Sequence, residues 1–176
     1  TIGHDAPSRI DSTPASTADA PVDGNAMPGV CPNNYQKLDT GIYRIVTSEQ
    51  PWLAAEADCA DDSTGDSLIG THLVVVSTDE ERVQLLMLPQ GAGIAPWIGL
   101  TDRTQLYRWV TKEEAPIPLP NPNGNVWAPG EPTNANGEDC IYADADGYRD
   151  GNCTMQRRYV CECDSFRDEP MNYGGN

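Results

Sequence analysis

Six cysteines, at positions 31, 59, 140, 153, 161 and 163, constrain this chain more than any other feature of its sequence. An even number of widely separated cysteines reads as three disulfides closed in an oxidising compartment. A metal cluster has little to draw on. There is no Cys-x-x-Cys, and His4 and His72 are the only histidines, so a zinc site of ordinary ligand spacing is not expected. Counting alone leaves the pairing open.

The formal charge of −16 argues against nucleic acid, because phosphate binding needs clustered Lys and Arg. It is compatible with cations, with neutral sugars, or with solubility alone. No apolar run reaches the roughly 20 residues of a membrane-spanning helix. The first residue is Thr, and the sequence reads as a mature, processed chain or a trimmed one. Its 176 residues, 38% of them hydrophobic, suit one domain with tails.

Residues 1–29 form the first tail. They are rich in Ala, Asp, Pro, Ser and Thr, Asp5-Ala6-Pro7 recurs as Asp19-Ala20-Pro21, and Ile2, Ile10, Val22 and Met27 are the only sizeable apolar residues. Such a segment buries too little to build a core. It resembles the linkers behind export signals in some bacterial surface proteins. As an extended strand it suits docking on a neighbouring subunit's sheet edge, which head to tail would build a fibre.

Residues 30–164 have globular patterning. Gly41–Val46 reads as a strand, and a helix follows over Pro51–Cys59 with Trp52, Ala55 and Cys59 on one face. After the apolar run Leu73–Val76, Ser77-Thr78-Asp79-Glu80 reads as a capping box opening a second helix, with Val83, Leu86 and Met87 as its apolar stripe. Trp97–Leu100 and Leu106–Val110 read as strands. A long Pro-, Gly- and Asn-rich loop runs from Thr111 to Asp139. Ile141–Ala143 and Tyr159–Cys163 close the domain as strands, and residues 165–176 read as a disordered polar tail.

Within this order one constellation stands out: Trp127-Ala128-Pro129-Gly130-Glu131-Pro132-Thr133-Asn134, then Gly137-Glu138-Asp139-Cys140, Gly147-Tyr148-Arg149-Asp150, Cys153 and Tyr159-Val160-Cys161-Glu162. With Trp97-Ile98-Gly99-Leu100 and Trp52…Cys59, it resembles the C-type lectin family from Cys31 to Cys161 or Cys163. The resemblance implies an α+β fold with two helices, small antiparallel sheets, a long loop region and three disulfides. The implied pairs are Cys59–Cys161 and Cys140–Cys153, with the remaining Cys31 joined to Cys163. It also implies a secreted or cell-surface location and a ligand that is carbohydrate or protein, and the leader-like composition of residues 1–29 suggests a bacterial-type member.

In lectins of this family a Glu-Pro-Asn triplet, a later Glu and a Trp-Asn-Asp triplet supply most of the oxygen ligands of calcium (Ca2+), and two vicinal sugar hydroxyls complete the sphere. By resemblance Glu131, Glu138 and Asp150 are metal ligands, with Thr133 and Asn134 as further donors. Glu131, Glu138, Arg149 and Asp150 form the carbohydrate-binding set. The family's cis peptide falls before Pro132, and Glu131-Pro132 suggests mannose-type sugars. Two positions depart from the pattern. Thr133 replaces the triplet Asn, and Arg149 stands before the final Asp, where a guanidinium has no lone pair to give. Three states therefore stay open for the loop: bound calcium, a cation-free loop in which Arg149 ties Glu131 or Glu138, or solvated carboxylates. The family's second calcium site keeps Asp102 and Asp139, with Leu106 near a carboxylate position.

Other residues read as structural. Trp52, Trp97 and Trp109 suit core packing better than sugar stacking. His72 reads as a packed or hydrogen-bonded histidine, and Ser77 as a helix cap without a His–Asp partnership, so no enzyme is expected. The sequon Asn152-Cys153-Thr154 carries a disulfide cysteine in its middle and reads as unused. The functional expectation is an extracellular binding module, with calcium-dependent sugar binding through the long loop. The alternative is a structural subunit of an extracellular fibre, assembled through residues 1–29.

Overall fold

The computed structural model describes residues 30–63, 68–88, 95–104, 107–111, 126–135 and 137–174. The tail of residues 1–29, Leu106 and residues 112–125 of the long loop lie outside them.

The elements in chain order are β1 (Gln36–Lys37), β2 (Ile42–Gln50), α1 (Trp52–Ala60), β3 (Gly70–Leu73), α2 (Asp79–Met87), β4 (Trp97–Thr101), β5 (Arg108–Trp109), β6 (Cys140–Asp144), β7 (Gly147–Gly151), β8 (Arg157–Asp164) and α3 (Pro170–Tyr173). This is the α+β arrangement that the sequence implies, with one short helix more. The strands join into a single sheet in the order β1-β2-β8-β4-β6-β7, with β3 added to β8 and β5 to β4. Strand β8 is its spine. Strand β2 runs antiparallel along one edge, while β3 and then β4 follow the other, the β4 contact being parallel.

Helix α1 forms where the sequence places it. Pro51 is its N-cap, and Trp52, Ala55, Glu56 and Cys59 face the sheet. Trp52 is fully buried and its indole N–H donates to Ile98 O at 2.9 Å. Trp97, Trp109 and Trp127 are buried as well.

Helix α2 departs from the expectation in two ways. Its N-cap is Thr78 rather than Ser77: Thr78 Oγ1 accepts from Glu81 N at 3.1 Å, while Glu81 Oε2 accepts from Ser77 N at 2.8 Å. Its inward face is Glu81 and Leu85, not Val83, Leu86 and Met87, and Met87 is 76% exposed. The cause lies in the segment before the helix. Beyond Leu73 the chain stays extended without a partner strand on one side, and alternate amides need acceptors. Glu56 Oε2 takes Leu73 N, Glu162 Oε2 takes Val75 N and Glu81 Oε2 takes Ser77 N. Glu81 also accepts from the Tyr43 hydroxyl, which turns the helix face carrying it inward.

Disulfides join Cys31 to Cys163, Cys59 to Cys161 and Cys140 to Cys153. The first two fasten the N-terminal segment and α1 to β8, and the third closes the β6–β7 hairpin. The expected disordered C-terminal end is corrected: residues 165–174 pack onto the domain. Glu169 N donates to Val110 O at 2.7 Å, Asn172 Nδ2 to Thr111 O at 2.8 Å, and buried Tyr173 sets its ring edge-on to Trp52 with centroids 5.7 Å apart.

Candidate functional site

The candidate loop rests on an aromatic support. Residues 126–128 run beside β7, with Tyr148 N donating to Val126 O at 2.7 Å and Ala128 N to Tyr148 O at 2.9 Å. Trp127 is wedged edge-on between Tyr107 and Tyr148, at centroid distances of 5.2 and 6.2 Å. From this anchor the chain turns at Gly130, whose φ is +87°, and reaches Glu131, whose peptide bond to Pro132 is cis.

Around that turn the structure brings together the residues singled out from the sequence. Asp150, 5% exposed on β7, accepts from Thr133 N at 3.1 Å and from Asn134 N at 2.5 Å. Glu138 Oε2 accepts from Thr133 Oγ1 at 2.7 Å and from Ala135 N at 3.1 Å. Asn134, in a left-handed conformation with φ of +47°, accepts from the Tyr107 hydroxyl through Oδ1 at 3.1 Å. One carboxylate from β7 and one from the loop itself thus hold a short stretch of chain, and the groups converging there offer oxygen donors.

Arg149 joins the site from the neighbouring position on β7. Nη1 lies 3.2 Å from Glu131 Oε1, Nε 2.6 Å from Asp144 Oδ2 and Nη2 3.3 Å from Asp146 Oδ2. Its partner from the loop is Glu131, and Glu138 bonds Thr133 and Ala135 instead. Asp144 and Asp146 were not singled out in the sequence. Their part follows from the register of β6 and β7, which pairs Tyr142 with Arg149 and so puts Asp144 diagonally across from it.

The surrounding charge is negative. Burial and the neighbouring Asp150 raise the Glu131 carboxyl above the usual carboxylate range, with Arg149 acting in the opposite direction. Asp102, close to Asp139 and half-buried, is pushed up to about 6 by burial first and then by Asp139. An all-oxygen donor set of Glu131, Glu138, Asp150, Thr133 and Asn134, with carboxylates crowded against one another, fits a hard cation. Elsewhere His72 engages Leu73 O and Asp164 through its two ring nitrogens, and Ser77 N is bound to Glu81.

Fold and site together define a disulfide-tied α+β domain that presents an acidic loop on an aromatic support. Residues 48–163 match the family model described as the lectin C-type domain, and the chain belongs to that family. It is 33% identical over 141 residues to asialoglycoprotein receptor 1 of Rattus norvegicus, covering 75% of this chain and 44% of the receptor. It therefore spans less than half the length of that relative. Among solved structures it resembles the C-type lectin CEL-I from Cucumaria echinata, with a TM-score of 0.64 at 22% identity over 77% of this chain and 98% of that one. It also resembles a calcium-independent type II antifreeze protein, with a TM-score of 0.58 at 18% identity over 78% and 95%. The curated relatives are lectins and receptors of animals, so the bacterial attribution finds no support.

Proposed function

We propose that this domain binds carbohydrate through the loop of residues 131–138 and strand β7, with calcium as the bridging cation. The observation that carries this reading is that three carboxylates gather at one turn: Asp150 on the Thr133 and Asn134 amides, Glu138 on the Thr133 hydroxyl and the Ala135 amide, and Glu131 on Arg149 beside Asp150. These carboxylates, with Thr133 Oγ1 and Asn134 Oδ1, would hold the ion. Calcium, when bound, supplies positive charge and open coordination positions that a pair of sugar hydroxyls fills. The protein's own part is to keep the acceptors fixed: Asp150 through two backbone amides, Glu138 through Thr133 and Ala135. Three disulfides support an oxidising, extracellular setting.

A second reading has its own support, since Arg149 bonds Glu131, Asp144 and Asp146 at once. In that reading the guanidinium replaces the cation, and the loop recognises its ligand without calcium.

A sugar-array screen of the chain in calcium, repeated with a chelator, separates the two. Retention of mannose-type sugars that the chelator abolishes supports the first reading. Retention indifferent to the chelator supports the second. If no sugar is retained in either condition, carbohydrate binding is wrong, and a protein ligand or a structural role takes its place.

A further inference from the structure

A different set of ligating groups lies on the sheet, among residues the carbohydrate reading does not use. Cys161 faces α1, since it is bonded to Cys59, so the alternation of β8 turns Glu162 and Asp164 together to the other face. The antiparallel register sets His72 of β3 directly opposite Glu162. The three side chains each bring one ligand atom within 4.8 Å of the others.

The histidine is oriented like a ligand. His72 is fully buried, and its Nδ1 lies 2.8 Å from Leu73 O, an acceptor only, so Nδ1 carries a hydrogen. Nε2 is thereby aimed at the carboxylates, 3.3 Å from Asp164 Oδ1. That distance is long for a charge-assisted N–H···O bond, which runs about 2.7–2.9 Å. It equals the roughly 3.3–3.5 Å edge between two ligands of a tetrahedral ion with bonds of about 2.0–2.1 Å. A second observation concerns Glu162, only 8% exposed. Its Oε2 accepts from Val75 N at 3.0 Å. A nearly buried carboxylate beside a fully buried imidazole is an environment in which charge is paired or coordinates metal.

We propose that His72, Glu162 and Asp164 form a zinc-class metal site that clamps β3 to β8. One nitrogen and two oxygens from the protein suit a borderline divalent ion, with a fourth position left for water. The set is too small for calcium, which takes six to eight oxygens. Asp164, with its side chain 29% exposed, is the way in. Sequence spacing does not reveal such a site, because strand pairing rather than a local motif brings residue 72 to residues 162 and 164.

The test uses the intact, metal-stripped chain and zinc chloride alone, followed by calorimetry and thermal unfolding. One zinc per chain is expected, with a rise in Tm that excess calcium does not reverse. His72→Gln and Asp164→Asn should each weaken zinc by more than about tenfold. Asp164 is partly exposed, so Asp164→Asn keeps the test alive if the buried His72 variant does not fold. Absence of saturable zinc binding overturns the proposal and leaves an ion pair between His72 and Asp164. Zinc binding that survives Asp164→Asn, or that Glu138→Gln abolishes, overturns it too, by placing the ion elsewhere.

Discussion

Arg149 Nη1 lies 3.2 Å from Glu131 Oε1, so the first carboxylate of the loop is already paired with a cation that belongs to the chain. Calcium must compete with that guanidinium for Glu131, and its charge opposes a second cation nearby. Asparagine at the same position offers an amide oxygen and no charge. Arg149→Asn should therefore bind calcium severalfold more tightly than the parent, as measured by titration calorimetry. Equal or weaker affinity would sink the competition argument.

The site was legible in the sequence to the extent that it follows from local order. Glu138 and Asp150 both bond the stretch 133–135 that follows Glu131, and the three cysteine pairs of the structure are those the resemblance implies. Helix α1 was readable because Trp52, Ala55 and Cys59 repeat at helical spacing. What escaped notice depends on partners distant in sequence. Glu56, Glu81 and Glu162 look like surface charges, yet each is buried because the extended stretch 73–77 leaves an amide that needs its oxygen. Asp144 and Asp146 acquire their role only once the register of β6 and β7 is known. The same dependence moved the α2 cap from Ser77 to Thr78.

Glu56 provides a pH prediction. It is 1% exposed, and burial pushes its carboxyl up to about 8, with His72 and the Leu73 amide pulling down and Asp168 pushing up. A carboxyl whose folded pKa exceeds its unfolded value of about 4.3 holds its proton more tightly in the folded state. Its contribution to stability is full below that unfolded value and is lost as pH rises towards 8. Glu56→Gln keeps an acceptor for Leu73 N and cannot ionise. The Tm of the variant minus that of the parent should grow by several degrees between pH 5 and pH 8, since roughly 1 kcal/mol moves Tm by about 2–4 °C in a domain of this size. A difference that is flat with pH would contradict the raised carboxyl.

Gly147 holds the loop's support close to β7. Its φ is +137°, and a Cβ there would lie 2.7 Å from Ala128 N and from Val126 O. Both are backbone atoms and cannot rotate away, so Gly147→Ala must part β7 from residues 126–128 and strain the two hydrogen bonds that join them. A loss of roughly 2 kcal/mol or more is expected in urea denaturation, together with weakened ligand binding. Gly130→Ala is the control. Gly130 also has positive φ, but nothing lies within 4 Å of its added carbon, so about 1 kcal/mol of backbone strain is the whole expected cost. Equal effects of the two substitutions would mean that the close approach at Gly147 does not matter.

The C-terminal segment supplies the last prediction, because a packed end and a loose tail respond differently to the same substitutions. Tyr173 is 7% exposed, its ring meets Trp52, and its hydroxyl donates to Asp168 Oδ2 at 2.8 Å. Trp52 in turn starts α1 and bonds Ile98 O in β4, so the terminal aromatic covers the junction of the first helix with the sheet. Removing the ring leaves a cavity against Trp52 that the disulfide-tied surroundings cannot readily fill. Tyr173→Ala should cost about 3 kcal/mol, as large-to-small substitutions of buried aromatics do. Tyr173→Phe removes only the hydroxyl and leaves Asp168 partly exposed to water, so it should cost about 1 kcal/mol. Deleting residues 165–176 should cost at least as much as Tyr173→Ala, because it also removes the bonds to Val110 and Thr111. Urea denaturation of the three variants measures all of this, and a stability indistinguishable from the parent in every case would return residues 165–174 to the status of a tail.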